Sequence, residues 1–360
     1  MTQRVAWIVC LGAALGLTSA CGGDDDPAGA GGSAGTAGTG GTAGNGATGG
    51  SGGGVSDDPC QPTADECYVS GKAGPGAVCL ARHDNSTGDE VQLRVSQLQL
   101  KSPAALRQPF LQGSVVTPKI TPNAPGCFQN GDAQFNVLFS WNTATMKVTQ
   151  GAGEPQALIG PLNDGTCYAK FTDPSSNAKV EPVEADFTID GNNYRAVFAD
   201  VAIPIYLEDS KDNYALLPMH ELEVTATLSA DRSCVGRYVP ENLDATQGCS
   251  AKEDKFAYEN GGTYKGYVTV EEADTVEITS LGYSLCVLLS GNVKRWQKKE
   301  AGEEIGHCVG STGYVEEGGF PKGNWCASTN SAAGDTCSDA WLIESDYAAA
   351  GVKINGVCGG

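Results

Sequence analysis

Histidine is the side chain best suited to general acid–base work near neutrality, and this 360-residue chain has three: His83, His220 and His307. No two stand close enough to form His-x-His, His-Glu-x-x-His or a pair at helical spacing, the patterns that zinc sites leave in a sequence. His220, after Pro218-Met219, reads as the first residue of a strand. Nucleophiles are equally sparse. Ser176-Asn177-Ala178-Lys179 has Ser-x-x-Lys spacing, but that acyl-transfer motif needs its Ser at a helix start. Here Asp173-Pro174-Ser175 precedes it and makes a turn, and neither Ser-Asp-Asn nor Lys-Thr-Gly follows. Gly282-Tyr283-Ser284-Leu285-Cys286 opens like a nucleophile elbow and ends in Cys where Gly is required. Its apolar neighbours predict core packing.

Carboxylates are abundant, so a glycosidase pair is open by inventory, although such a pair is defined by a separation in space. Glu208-Asp209-Ser210-Lys211-Asp212-Asn213 concentrates oxygen ligands without the Asp-x-Asp-x-Asp-Gly frame of a calcium loop, and reads as a solvated hairpin tip. Trp141 and Trp341 sit on periodic apolar faces and are expected in the core, whereas Trp296 lies within Lys294-Arg295-Trp296-Gln297-Lys298-Lys299. That run is the basic cluster of an acidic chain. Arg295 and Trp296 are therefore the candidate ligand-binding residues, suited to an acidic partner or to stacking on a glycan. No metal set is identified and no cofactor is expected.

The charge balance narrows the partners. Acids outnumber bases 43 to 23, a net charge of −20, which argues against nucleic acid and against adhesion to anionic lipid through a basic patch. The N-terminus supplies another route to a membrane. Val5 to Leu17 form an apolar stretch behind Arg4, too short to span a bilayer and suited to a signal peptide over 1–20. It ends in Leu17-Thr18-Ser19-Ala20-Cys21. This resembles the lipobox of bacterial lipoproteins, whose Cys is acylated and becomes residue one. It departs from the family pattern in placing Thr18 where Leu is preferred. Ordinary cleavage after Ala20 is the rival reading, and cysteine parity separates the two. Of 14 cysteines, Cys10 leaves with the signal peptide. An acylated Cys21 then leaves an even set for disulfides: Cys60, Cys67, Cys79, Cys127, Cys167, Cys234, Cys249, Cys286, Cys308, Cys326, Cys337 and Cys358.

Residues 27–54 contain only Pro, Ala, Gly, Ser, Thr and Asn, and 14 of these 28 are Gly. They bury too little to offset chain entropy, so 21–56 is expected to be an anchor and flexible tether with an r.m.s. reach of about 30 Å. Such a tether behind a lipobox resembles those of envelope lipoproteins of myxobacterial type, which implies an outer-membrane protein facing the periplasm or the cell surface.

Beyond Val55 the chain reads as globular. Val91, Leu93, Val95, then Leu98 and Leu100 alternate with a slip at Ser96-Gln97 that marks a bulge; Phe135 to Trp141 alternate again. Asp190-Gly191 is a hairpin signal between Phe187-Ile189 and Tyr194-Phe198. Val201 to Leu207 and Leu222 to Leu228 follow, with Pro204 suggesting an edge strand. These elements predict a mainly β protein, an antiparallel β-sandwich over 57–240. The region 241–360 is expected to be disulfide-rich and to carry one or two short helices. One helix is predicted from a Thr269/Glu272 capping box towards Gly291, the other from Ser338 through Trp341 and Ala349 to Gly351. Six cysteines on either side of residue 240 suggest a boundary there. The expected function is a lipid-anchored binding, adhesion or structural module whose partner is a glycan or surface protein; the alternative is an envelope hydrolase using paired carboxylates on glycans.

Overall fold

Strict alternation of apolar and polar side chains lets a strand bury one face, and eight long strands of this chain do so: β1 (Glu90–Ser102), β2 (Asn136–Asn142), β3 (Lys147–Gly153), β4 (Val183–Asp190), β5 (Asn193–Tyr206), β6 (Tyr214–Thr227), β7 (Gly262–Thr269) and β8 (Ala340–Gly351). The computed structural model describes residues 81–359 without 125–128, 161, 175, 248, 249, 253, 254, 294–304, 309–320, 335 and 336. Each strand pairs antiparallel with the next in sequence, and β8 returns to β1, Leu93 standing opposite Gly351 and Leu100 opposite Ser345. The expected mainly β, antiparallel architecture is therefore present. Its two layers run into each other at both margins, so the sheet closes into an up-and-down ring.

The ring is filled. Val91, Leu93, Phe139, Trp141, Met219, Leu222 and Tyr347 are fully buried inside it. Trp141 meets Phe187 and Tyr194 edge-on at 5.1 and 5.6 Å, and Phe139 stacks on Tyr347 at 6.0 Å. Each such side chain contributes about 1.5–3 kcal/mol on leaving water, and eight strands enclose just enough room for side chains. Trp141 and Trp341 are core residues, as their periodic faces predict. The slip at Ser96 is a bulge, Val95 pairing with Ala349 and Gln97 with Ala348. Asp190 pairs with Asn193 around Gly191, whose φ of +59° suits glycine.

Several expectations are corrected. Residues 340–351 form β8, not a helix. The Ala348-Ala349-Ala350 run favours helix locally, but here it sits between β1 on one side and Cys234–Val235 on the other, all three alanines buried, while β7 flanks the rest of β8. Two ladders and burial outweigh the small propensity difference. The expected helix after Thr269 does begin with the capping box, but α1 (Val270–Thr275) is short. A two-stranded hairpin intervenes before α2 (Leu285–Leu289), which is capped by Ser284. No boundary divides the sheet at residue 240, since β7 and β8 complete the ring begun by β1. Pro204 lies in β5, paired with β6 at Leu216; on its other side β5 pairs with β4 only as far as Ala196.

Disulfides brace the ring. Cys167–Cys358 ties Thr166–Tyr168 to Ile354–Val357, while Cys286–Cys308 and Cys326–Cys337 close loops beside α2 and β8. Cys234 is also disulfide-bonded. Cys167–Cys358 crosses the supposed boundary, so the two cysteine sets do not close separately. Cys21, Cys60, Cys67, Cys79, Cys127 and Cys249, with the expected signal peptide and tether, lie outside the described residues. Among the described residues no helix is long and apolar enough to cross a membrane.

On the outer face of β1, Arg94 is buried beneath the 104–120 segment. Its Nε donates to Asn136 Oδ1 at 2.5 Å, Nη1 to Val95 O at 2.8 Å and Nη2 to Ile120 O at 2.8 Å. Burial pushes its pKa down to about 9. One guanidinium thus joins β1, β2 and the segment covering them.

Candidate functional site

The β4–β5 hairpin is where the ring opens. From Asp190↔Asn193 to Phe187↔Ala196 the two strands pair; beyond that β4 turns to β3, Asp186 opposite Lys147 and Val183 opposite Gln150, while β5 continues along β6. A cleft of about 540 Å³ lies where they part. Ala196 and Phe198, both core residues, form its floor, and Val197, 44% exposed, stands at its edge.

Antiparallel ladders alternate hydrogen-bonded and non-bonded pairs. Asp190 and Asn193 close a two-residue turn and so form a bonded pair, which makes Thr188 and Arg195 the next. By the same alternation Phe187↔Ala196 is a non-bonded pair, closed by Val197 N–H donating to the Asp186 carbonyl, and the strands part beyond that bond.

The rim is charged. Lys147 Nζ lies 2.8 Å from Asp186 and 3.7 Å from Glu184, and Arg195 Nη2 lies 2.5 Å from Glu223 Oε2. Asp200, whose side chain is 78% exposed, holds His220 Nδ1 at 2.7 Å, and Glu272 takes Nε2 at 2.8 and 2.9 Å. Carboxylates only accept, so both contacts are satisfied together when both ring nitrogens carry protons, an arrangement that favours the imidazolium. Burial by itself would lower its pKa. The hydrogen bonds and charges of Asp200 and Glu272 outweigh that and raise it. Glu272 is lowered: burial opposes ionisation, but bonds from Thr269 and His220 prevail. The Tyr267 ring lies 5.3 Å from the imidazole.

The arrangement holds a cation between two anions and leaves no ring nitrogen for a nucleophile's proton. His220 is not a strand start; it sits within β6 at a bulge against β7, beside Glu221 with φ +45°. The other candidates are structural. Ser176 Oγ donates to Asp173 Oδ2 at 2.6 Å in a turn, and Lys179 begins a short strand. Ser284 is fully buried, capping α2 and donating to Asp274 Oδ1 at 2.6 Å. His307 Nδ1 lies 2.9 Å from the Asp274 carbonyl oxygen. Asp274 with Cys286 and Cys308, and Asp339 with Cys326 and Cys337, have metal-like spacing, but those sulfurs are spent in disulfides. At the 208–213 tip, Asp209 accepts from Gln134 and Lys211 pairs with Glu154 at 2.7 Å. Lys119 reaches the Leu207 carbonyl at 3.1 Å. Arg295 and Trp296 lie outside the described residues.

Sequence reasoning saw Glu272 as a cap and missed its second role, and it missed Asp200 altogether. One signal was available: the apolar phase Tyr194, Ala196, Phe198 resumes at Val201, leaving Ala199 and Asp200 both outward. No protein-family model matches the chain, and no curated protein or solved structure is significantly similar to it.

Proposed function

We propose that the protein is a lipid-anchored binding module of the bacterial cell envelope, held to the membrane through Cys21 and carried clear of it by the 27–54 tether. What supports this most directly is the contrast between interior and wall. The ring is packed with aromatic and aliphatic side chains and braced by disulfides, while the wall opens into a cleft where β4 and β5 part. A rigid frame presenting a concavity suits recognition, and disulfides suit an oxidising compartment. More than one acyl chain at Cys21 would make anchoring stable.

Fractionation and binding test the reading together. Wild-type protein should partition with membranes and Cys21→Ser should be soluble. The soluble form should bind isolated envelope material saturably without releasing reducing sugar. Membrane retention of Cys21→Ser would move the anchor elsewhere, and sugar release would replace the binding module with a glycan hydrolase.

A further inference from the structure

We infer that Lys119 and Gln134 join in an intramolecular isopeptide bond, the lysine amine displacing ammonia from the glutamine carboxamide. The first argument is placement. Lys119 lies in the helical turn Thr117–Ile120 at the end of the segment covering β1, and Gln134 lies just before β2. Their main chains run side by side. Asp132 N–H donates to Pro118 O at 2.7 Å, Ala133 N–H to Thr121 O at 3.1 Å and Phe135 N–H to Lys119 O at 2.9 Å. The approach is so close that a Cβ on Gly131 would stand 2.1 Å from Thr121 O. Lys119 Nζ is thereby held against Gln134 Oε1, one bond from the carbon it attacks. Fixed adjacency of this kind supplies much of what an amine needs to react with an otherwise inert amide. Lys101, Lys147, Lys170 and Lys211 each lie on a carboxylate; Lys119 lies on a carboxamide.

The second argument is the surroundings. Gln134 is buried and its Nε2 donates to Asp209 Oδ1 at 3.1 Å, so a carboxylate already touches the nitrogen that must leave. Lys119 is half-buried, and burial lowers its pKa although Asp132, Asp209 and Glu208 pull the other way. A larger share of the amine is then unprotonated and nucleophilic. The neutral Nζ adds to Cδ and the carbonyl pair moves onto Oε1. Asp209 takes a proton from the attacking nitrogen and passes it to Nε2. The Cδ–Nε2 bond breaks, the carbonyl re-forms and ammonia departs, so the step balances without an oxidant or reductant. A neutral amide replaces a half-buried ammonium, and its N–H can keep the 3.1 Å bond that Nζ makes to Leu207 O. The link ties the segment covering β1 to the start of β2.

The test is mass. Full-length Cys21→Ser protein, unfolded, reduced and alkylated, should weigh one ammonia, about 17 Da, less than its sequence from the measured N-terminus. Trypsin should fail to cut after Lys119 and should yield a single peptide, 108–147, that carries the whole deficit. Lys119→Arg keeps the cation and cannot form the bond; it should restore the full mass and cleavage after residue 119. Asp209→Asn should leave most molecules unlinked, with an unchanged circular dichroism spectrum. Wild-type protein of full mass, cut normally after Lys119, would overturn the bond. So would a deficit confined to peptide 120–147 after normal cleavage, which would mark ring closure at Asn130-Gly131 instead. Linkage as complete in Asp209→Asn as in wild type would overturn the role given to Asp209.

Discussion

Replacing Arg94 by Lys keeps the charge and removes the fork, and the structure says which of these matters. The guanidinium reaches Asn136 Oδ1 through Nε and Ile120 O and Val95 O through its two terminal nitrogens, in three directions at 2.5–2.8 Å. A single ammonium on a shorter stem can serve one of these acceptors well. At least two are then abandoned in the interior, and each unsatisfied buried acceptor costs about 1–3 kcal/mol. Partial relaxation brings the expected loss to about 2–4 kcal/mol. Arg94→Met abandons all three acceptors but also takes a cation out of a site whose burial lowers the Arg94 pKa to about 9. That shift corresponds to about 5 kcal/mol of disfavoured charge, which offsets much of the lost bonding. Met is therefore expected to be the milder change. Denaturant unfolding with disulfides intact and constant m-value measures both. A Lys variant within about 0.5 kcal/mol of wild type, or a Met variant less stable than Lys, would refute the view that the fork holds β1, β2 and residue 120 together.

The His220 clamp makes stability depend on pH. A histidine whose folded pKa is raised stabilises fully below its unfolded value of about 6.5 and loses that contribution as pH rises through the folded value. Glu272, lowered, contributes above the ordinary carboxylate range and loses that as pH falls. The unfolding midpoint should thus decline above pH 6.5 in wild type and less so in His220→Gln; parallel profiles would show the clamp is not coupled to folding. The Cys167–Cys358 bridge spans 191 residues, so Cys167→Ser with Cys358→Ser should cost about 3–5 kcal/mol in denaturant unfolding. A loss below about 1 kcal/mol would mean that the terminal strand is held by its ladder and hydrophobic contacts alone.

How far the sequence revealed the fold depended on whether a signal was local. Alternation located β1, β2 and the β4–β5 hairpin, Ser96 marked its bulge, and Thr269 with Glu272 marked the start of α1, because each is settled within a few residues. β8 was misread because its alanines favour helix locally and become strand only between partners on both sides, among them Glu90–Ser102, more than 200 positions away. Ring closure and the parting of β4 from β5 are likewise pairing choices between distant segments. The His220 partners are a tertiary fact too: Asp200, His220 and Glu272 come from β5, β6 and α1, and only the slip at Ala199-Asp200 hinted at them.

Amide hydrogen exchange of the full-length Cys21→Ser protein, with and without isolated envelope material, tests the central claim most directly. In the free protein Asn193, Arg195 and Val197, bonded across the hairpin, should be protected, while Glu184, beyond the end of that ladder, exchanges rapidly. Envelope material should slow exchange along the residues lining the cleft. No change there, or protection arising instead around Arg295 and Trp296, would contradict the assignment of binding to the cleft.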